Sequence, residues 1–187
     1  MMETNIDAAQ AISQDELVKA IRSATDEVFS TMLNLSLVPG EVFEEKEESV
    51  PSSGVVSLIG LAGSWVGSGS LACSASCASK IASALLMTTY SAIDEDVLDA
   101  VAEVTNMIIG NVKTALESRL GAMGLSTPTV IYGRNFQTRS SGNQKWTVVP
   151  FALGEDRMCV QVCIAPNDES GKKTTRTGFP VPHLVRS

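Results

Sequence analysis

The chain has 187 residues, of which 44% are hydrophobic, so it can bury one substantial core and a single domain is expected. Its formal net charge is −7, and no basic stripe that could bind a phosphate backbone is visible, which excludes nucleic acid as an expected partner. No apolar run reaches the roughly 18–20 residues of a membrane span, and no signal-peptide pattern is present, so we expect a cytoplasmic protein without a membrane partner.

The first half of the chain predicts a helix, a hairpin and a second helix, in that order. Residues 1–14 are expected to be flexible. The predicted elements are a helix from Asp15 that ends before Pro39, an acidic loop over 41–54 with a short strand at its start, strands over 55–61 and 65–73 joined at Ala62-Gly63-Ser64, and a helix over 76–87.

The second half begins with a long helix and continues as strands. The helix runs over 95–120 and is stopped by Gly121, and the strands are predicted over 129–136, 145–153 and 158–164, with residues 168–187 as a flexible tail. Both halves thus read as helix followed by strands. We therefore predict an α+β fold over residues 15–167, in which helices pack on one antiparallel sheet built from two pseudo-repeated halves.

Four cysteines fall as two C-x3-C pairs, Cys73 with Cys77 and Cys159 with Cys163. Zinc sites usually show the tighter C-x-x-C spacing, and both pairs lie in apolar, strand-like stretches. The pattern favours buried or half-buried free thiols, with a metal site or a disulfide as the alternatives. We therefore assign no metal-binding residues.

The long predicted helix has an apolar face and a polar face. Its apolar positions follow the spacing of a helix that packs on a core: Val97, Leu98, Val101, Val104, Thr105, Ile108, Ile109, Val112 and Leu116. On the other face Glu103 and Asn106 project together with Cβ atoms roughly 5–6 Å apart. They constitute either a solvated helix face or a carboxylate–carboxamide pair that enters a partner's active site. Gly110, one turn on, would let another backbone come close.

Three stretches carry a family resemblance: the first predicted helix, the hairpin with the helix after it, and Glu103-Val104-Thr105-Asn106 followed by Gly110-Asn111. They resemble the CheC/CheX/FliY family of chemotaxis phosphatases, and its CheX branch in particular. Asp99, Glu103 and Asn106 match the family motif Asp/Ser-x3-Glu-x2-Asn, while Pro128 stands one position short of the family's spacing. CheC-like members carry two such sites. This chain has one, like the CheX members, which tend to form dimers.

The resemblance implies a phosphatase that acts on a phosphorylated CheY-like response regulator and has no cofactor of its own, because the receiver domain supplies Mg²⁺ and a lysine. Asn106 would hold the attacking water, and Glu103 would pair with that lysine. Asp99 would assist docking or stabilise the first turn of the helix, and Gly110 would serve docking or packing. The alternative is a non-catalytic adaptor that docks a response regulator or a chemotaxis or flagellar component. A homodimer is expected.

Overall fold

The computed structural model describes residues 12–45, 52–139, 145–167 and 183–185. Its helices are α1 (Gln14–Thr31), α2 (Ala75–Leu86) and α3 (Glu95–Leu120). Its strands are β1 (Val38–Pro39), β2 (Phe43–Glu45), β3 (Ser52–Gly63), β4 (Trp65–Cys73), β5 (Met123–Leu125), β6 (Thr129–Arg139), β7 (Trp146–Leu153), β8 (Asp156–Pro166) and β9 (His183–Val185). Most of the two segments predicted to be flexible lies outside the described residues, but β9 falls within the predicted tail and pairs with β6.

All strand pairs are antiparallel, and the sheet runs in the order β1-β7-β8-β4-β3-β6-β9, with β2 also on β7 and β5 also on β3. The hairpins β3–β4 and β7–β8 meet at the centre, where β4 pairs with β8. The first strands of one half pair with the hairpin of the other: β1 and β2 with β7, and β6 with β3. Exchanging the two halves preserves these pairings, which confirms the predicted α+β fold with two pseudo-repeated halves.

The helices α1 and α3 share one burial pattern. Each buried residue of α1 has a buried counterpart 80 positions later in α3, as Leu17 has in Val97. The buried residues of α1 are Leu17, Ala20, Ile21, Ala24, Thr25, Val28 and Phe29, and the matching residues of α3 are Val97, Ala100, Val101, Val104, Thr105, Ile108 and Ile109, all buried. Even a polar pair matches, since Thr25 Oγ1 and Thr105 Oγ1 each donate to the carbonyl four residues earlier at 2.7 Å. The two helices therefore present corresponding faces to the sheet and to solvent.

The core lies between the helices and one face of the sheet. Alternate strand residues point into it: Val55, Ile59, Leu61, Leu71, Cys73, Val149, Phe151, Leu153, Met158, Val160 and Val162. Helix α3 packs against both α1 and α2. It begins at the N-cap Asp94, whose side chain accepts from the Val97 amide at 3.0 Å, and ends at Gly121 with φ 78°.

The cysteines match the predicted state. All four are free thiols, with Cys73, Cys77 and Cys163 buried and Cys159 half-buried. The contact with Cys77, followed by burial, raises the pKa of Cys73, and burial raises the pKa of Cys163 to about 11. Thiols of this kind stay protonated and behave as small apolar side chains.

Gly67 in β4 lies tightly against the backbone of β8. A Cβ at this position would lie 2.0 Å from the Cys163 carbonyl oxygen and 2.9 Å from the Cα of Ile164. Gly67→Ala is therefore expected to lower the free energy of unfolding by about 3 kcal/mol, because two backbones must separate. Urea denaturation would measure the loss. Gly124→Ala, whose Cβ would lie 3.7 Å from its nearest neighbour, is the matched control, and equal effects of both changes would contradict the steric explanation.

Asp156 joins α2 to the start of β8. Its carboxylate accepts hydrogen bonds from Ser74 Oγ at 2.9 Å and Ser76 Oγ at 3.2 Å, and Lys80 Nζ lies 2.6 Å away. Ser74 is also the N-cap of α2. The Lys80 contact is the main cause that holds the pKa of Asp156 below its ordinary value of 3.8.

A pKa that is lower in the folded chain stabilises the fold above the unfolded pKa, and this stabilisation is lost as the pH falls through the folded value. We therefore expect the unfolding free energy to fall with pH below the ordinary aspartate range, and to fall less steeply in Asp156→Asn. Urea denaturation between about pH 2 and pH 7 (a span that covers the ordinary aspartate range and the region below it) would measure both slopes. Glu155→Gln removes a neighbouring carboxylate that accepts none of these hydrogen bonds, and an equal change of slope in this control variant would contradict the role of Asp156.

Candidate active site

Helix α3 carries the candidate site on the face opposite the core. Asp99 and Glu103 are exposed, and Asn106 and Gly110 are half-buried. The spacings of four, three and four residues place these positions on one stripe along successive turns. The structure thus brings together all four residues that the sequence analysis singled out. The predicted apolar stripe is also confirmed, with only Leu98 half-buried rather than buried.

The side chains of Asp99, Glu103 and Asn106 make no hydrogen bond or ion pair with any residue in the described ranges. Their neighbours on α3 are engaged differently. Asn111 donates to Glu27 of α1 at 3.4 Å, and Lys113 lies 2.6 Å from Glu117. The carboxylate of Glu103 and the carboxamide of Asn106 are therefore available to a second molecule: the first can pair with a cation, and the second can orient water.

The repeat between α1 and α3 shows what is particular to this stripe. At the offset of 80 residues, Ser23 of α1 corresponds to Glu103 and Asp26 corresponds to Asn106. Ser23 and Asp26 are exposed as well. Both halves therefore share the buried face of this helix, whereas the carboxylate–carboxamide pair is present on α3 and not at the corresponding positions of α1.

The strand β5 borders the site and was not predicted from the sequence, where no strand was expected between the end of the long helix at Gly121 and residue 129. A Cβ placed on Gly110 would lie 3.8 Å from Leu125 Cδ1, so Leu125 stands beside the stripe. A strand of three residues has no periodicity to reveal it. Pro128 follows in the segment between β5 and β6, and Ser126 binds this segment to Gly60 by two hydrogen bonds of 2.9 Å.

Within the described part of the chain, no cluster of three or more His, Cys, Asp or Glu side chains could hold a metal ion. None of its helices is both long enough and apolar enough to span a membrane.

The family model of the chemotaxis phosphatase CheX matches residues 55–152, a range that includes the whole of α3. The chain belongs to the CheX family. One relative, the CheY-P phosphatase CheX of Thermotoga maritima, is 28% identical to this chain over 127 residues. The aligned part covers 67% of this chain and 81% of that relative.

Solved structures of the family share the fold described above. The CheX of Desulfovibrio desulfuricans is 29% identical with a TM-score of 0.73, covering 80% of this chain and 99% of that one. The CheX of Borrelia burgdorferi, solved in a complex with CheY, BeF3 and Mg²⁺, is 27% identical with a TM-score of 0.61, covering 79% of this chain and 97% of that one. The resemblance to the CheX branch inferred from the sequence is thereby confirmed.

Proposed function

We propose that this protein hydrolyses the aspartyl phosphate of a CheY-like response regulator. The observation that carries the proposal is the pair of exposed Glu103 and half-buried Asn106 on the central helix of a CheX-family chain, whose side chains have no partner among the described residues. Two relatives support the substrate class: one is named a CheY-P phosphatase, and another is solved with CheY and BeF3.

In this proposal Asn106 enters the active site of the receiver domain and holds a water molecule in line with phosphorus. Phosphoryl transfer has a loose transition state, so positioning and charge stabilisation supply most of the catalysis. A carboxamide suits this task because its oxygen accepts a hydrogen bond from the water without placing a negative charge near the phosphoryl oxygens. The Asn106 side chain is half-buried and its backbone is part of α3, so the motion of its amide is limited.

Glu103 pairs with the lysine of the receiver domain and thereby sets the register of Asn106. A charge pair that loses water on docking contributes about 2 kcal/mol to binding. Asp99 and Gly110, on the same stripe, contact the receiver on either side of the pair. Mg²⁺ belongs to the receiver, and the chain needs no cofactor of its own.

We further expect a cytoplasmic homodimer that carries one such stripe on each subunit. Sedimentation equilibrium of the purified chain measures the state of association. The hydrolytic proposal does not depend on it, because the four stripe residues lie on one helix.

The test follows acyl-phosphate decay on the receiver domains of the source organism, each phosphorylated with a small-molecule phosphodonor. Wild-type chain is compared with Glu103→Ala/Asn106→Ala and with the control Ser23→Ala/Asp26→Ala, which alters the corresponding positions of α1. We expect faster decay for at least one receiver with wild type and control, and none with the α3 variant. Binding without acceleration for every receiver would instead indicate the non-catalytic adaptor, and neither binding nor acceleration would refute both the phosphatase and an adaptor that docks a response regulator.

A further inference from the structure

Gly110 stands in the interior of a 26-residue helix, where glycine is less favourable than alanine. Its backbone does not require glycine, since its φ is not positive. Packing does not require it either: among the described residues of other elements, an added Cβ would come within 4 Å of Leu125 Cδ1 alone, at 3.8 Å, an ordinary contact distance. Neither conformation nor packing therefore explains why a side chain is missing here.

The repeat supplies an internal comparison. At the offset of 80 residues, the position of Gly110 corresponds to Ser30, which is exposed and lies in the last turn of α1. The two helices bury matching residues over the preceding turns, and this burial pattern does not require glycine at the position. Glycine occurs only in the helix that also carries Glu103 and Asn106.

The missing side chain leaves a shallow depression that we call the Gly110 notch, formed by Gly110 and Leu125 with Asn106 one turn before and Thr114 one turn after. Its wall is held at both ends. Glu117 Oε1 accepts from the Met123 amide at 3.2 Å and from Lys113 Nζ at 2.6 Å, which fixes the start of β5.

At the far end of β5, Ser126 and Gly60 exchange two hydrogen bonds of 2.9 Å, which fixes the residue next to Leu125. The carbonyl oxygen of Gly110 already accepts from Thr114 Oγ1 at 2.9 Å. The Leu125 wall of the notch is apolar, and a partner meets that wall through van der Waals contacts.

We propose that the Gly110 notch receives a main-chain segment of the receiver domain and sets the depth to which Asn106 enters its active site. This inference rests on the proposed function. A surface without a Cβ allows two backbones to approach closely, and the half-buried Leu125 favours an apolar segment with small side chains. Gly110 is therefore a positioning residue: it acts through the placement of Asn106.

The test uses the full chain and two variants, Gly110→Ala and Gly110→Leu, because both new residues are good helix formers. An added Cβ projects roughly 1.5 Å from the helix, and a displacement of about 1 Å at the reacting water costs on the order of 10²-fold in rate. We expect Gly110→Ala to raise the melting temperature by about 2–4 °C and to lower kcat/KM for receiver dephosphorylation by about 10- to 100-fold. Gly110→Leu should lower kcat/KM further while the chain stays folded.

Ser30→Gly is the matched control. It should lower the melting temperature without changing kcat/KM, so that stability and activity move independently in the two helices. Binding to the receiver with beryllofluoride is measured alongside decay. Unchanged kcat/KM and affinity in Gly110→Ala, with an active wild type, would overturn the inference and leave the proposed function intact.

If wild type binds a receiver without accelerating decay, the proposed function fails, and weaker binding by Gly110→Ala still supports the notch as a docking surface. Equal binding by wild type and Gly110→Ala in that case overturns the notch as well. The notch as a docking surface is likewise overturned if wild type binds no receiver.

Discussion

Asn106→Ala is expected to abolish the accelerated decay of the phosphorylated receiver while most of its affinity remains. The variant removes the only carboxamide on the exposed stripe of α3 and leaves Glu103 in place to bind the receiver. Without an amide to hold the water in line, the loss in rate should be on the order of 10²-fold or more. Single-turnover decay at saturating chain measures the rate, and titration of the beryllofluoride-bound receiver measures affinity.

Two companion variants make this result specific. Asp26→Ala alters the corresponding turn of α1 and should leave the decay rate unchanged. Asn106→Asp keeps the size of the side chain but places a negative charge beside the phosphoryl oxygens, so it should be as inactive as the alanine variant. If Asn106→Ala retained the wild-type rate, Asn106 would have no role in orienting water.

Glu103→Lys is expected to weaken docking itself. The change replaces an exposed carboxylate with a cation that faces the lysine of the receiver, so an attraction becomes a repulsion. We expect the dissociation constant to rise about 30-fold or more, equivalent to about 2 kcal/mol. Isothermal titration with the beryllofluoride-bound receiver at two salt concentrations would measure it, and the difference from wild type should shrink at high salt.

Ser23→Lys is the matched control for this charge change, because it adds a lysine at the corresponding position of α1. It should leave affinity near that of wild type if docking is confined to α3. A similar loss of affinity in both variants would point to the overall charge of the protein rather than to a pair at Glu103. Glu103→Gln, which removes the charge without reversing it, should fall between wild type and Glu103→Lys.

Much of the candidate site was predictable because one helix carries it. The apolar period of α3 identified its buried face, Gly121 marked its end, and its observed limits, Glu95–Leu120, equal the predicted ones. Once the buried face is known, the spacing of Glu103 and Asn106 places them together on the other side. The strands of the first hairpin were recognisable from the turn residues Ala62-Gly63-Ser64 between them.

The features that only the tertiary structure decided involve residues from different elements. Leu125 reaches Gly110 because β5 pairs with β3 and is tied to Glu117, and nothing in the three residues of β5 signals a strand. Asp156 meets Ser74 and Lys80 across about half the chain, through the path of β4, α2 and β8.

The exact repeat between α1 and α3 likewise became visible through burial, because most of the matched positions hold different apolar residues, such as Phe29 and Ile109. Local periodicity determined which side of each element faces the core, since burial selects residues at the period of that element. The chain path through the sheet decided which elements meet, because those contacts arise only when the distant segments that form them are folded together.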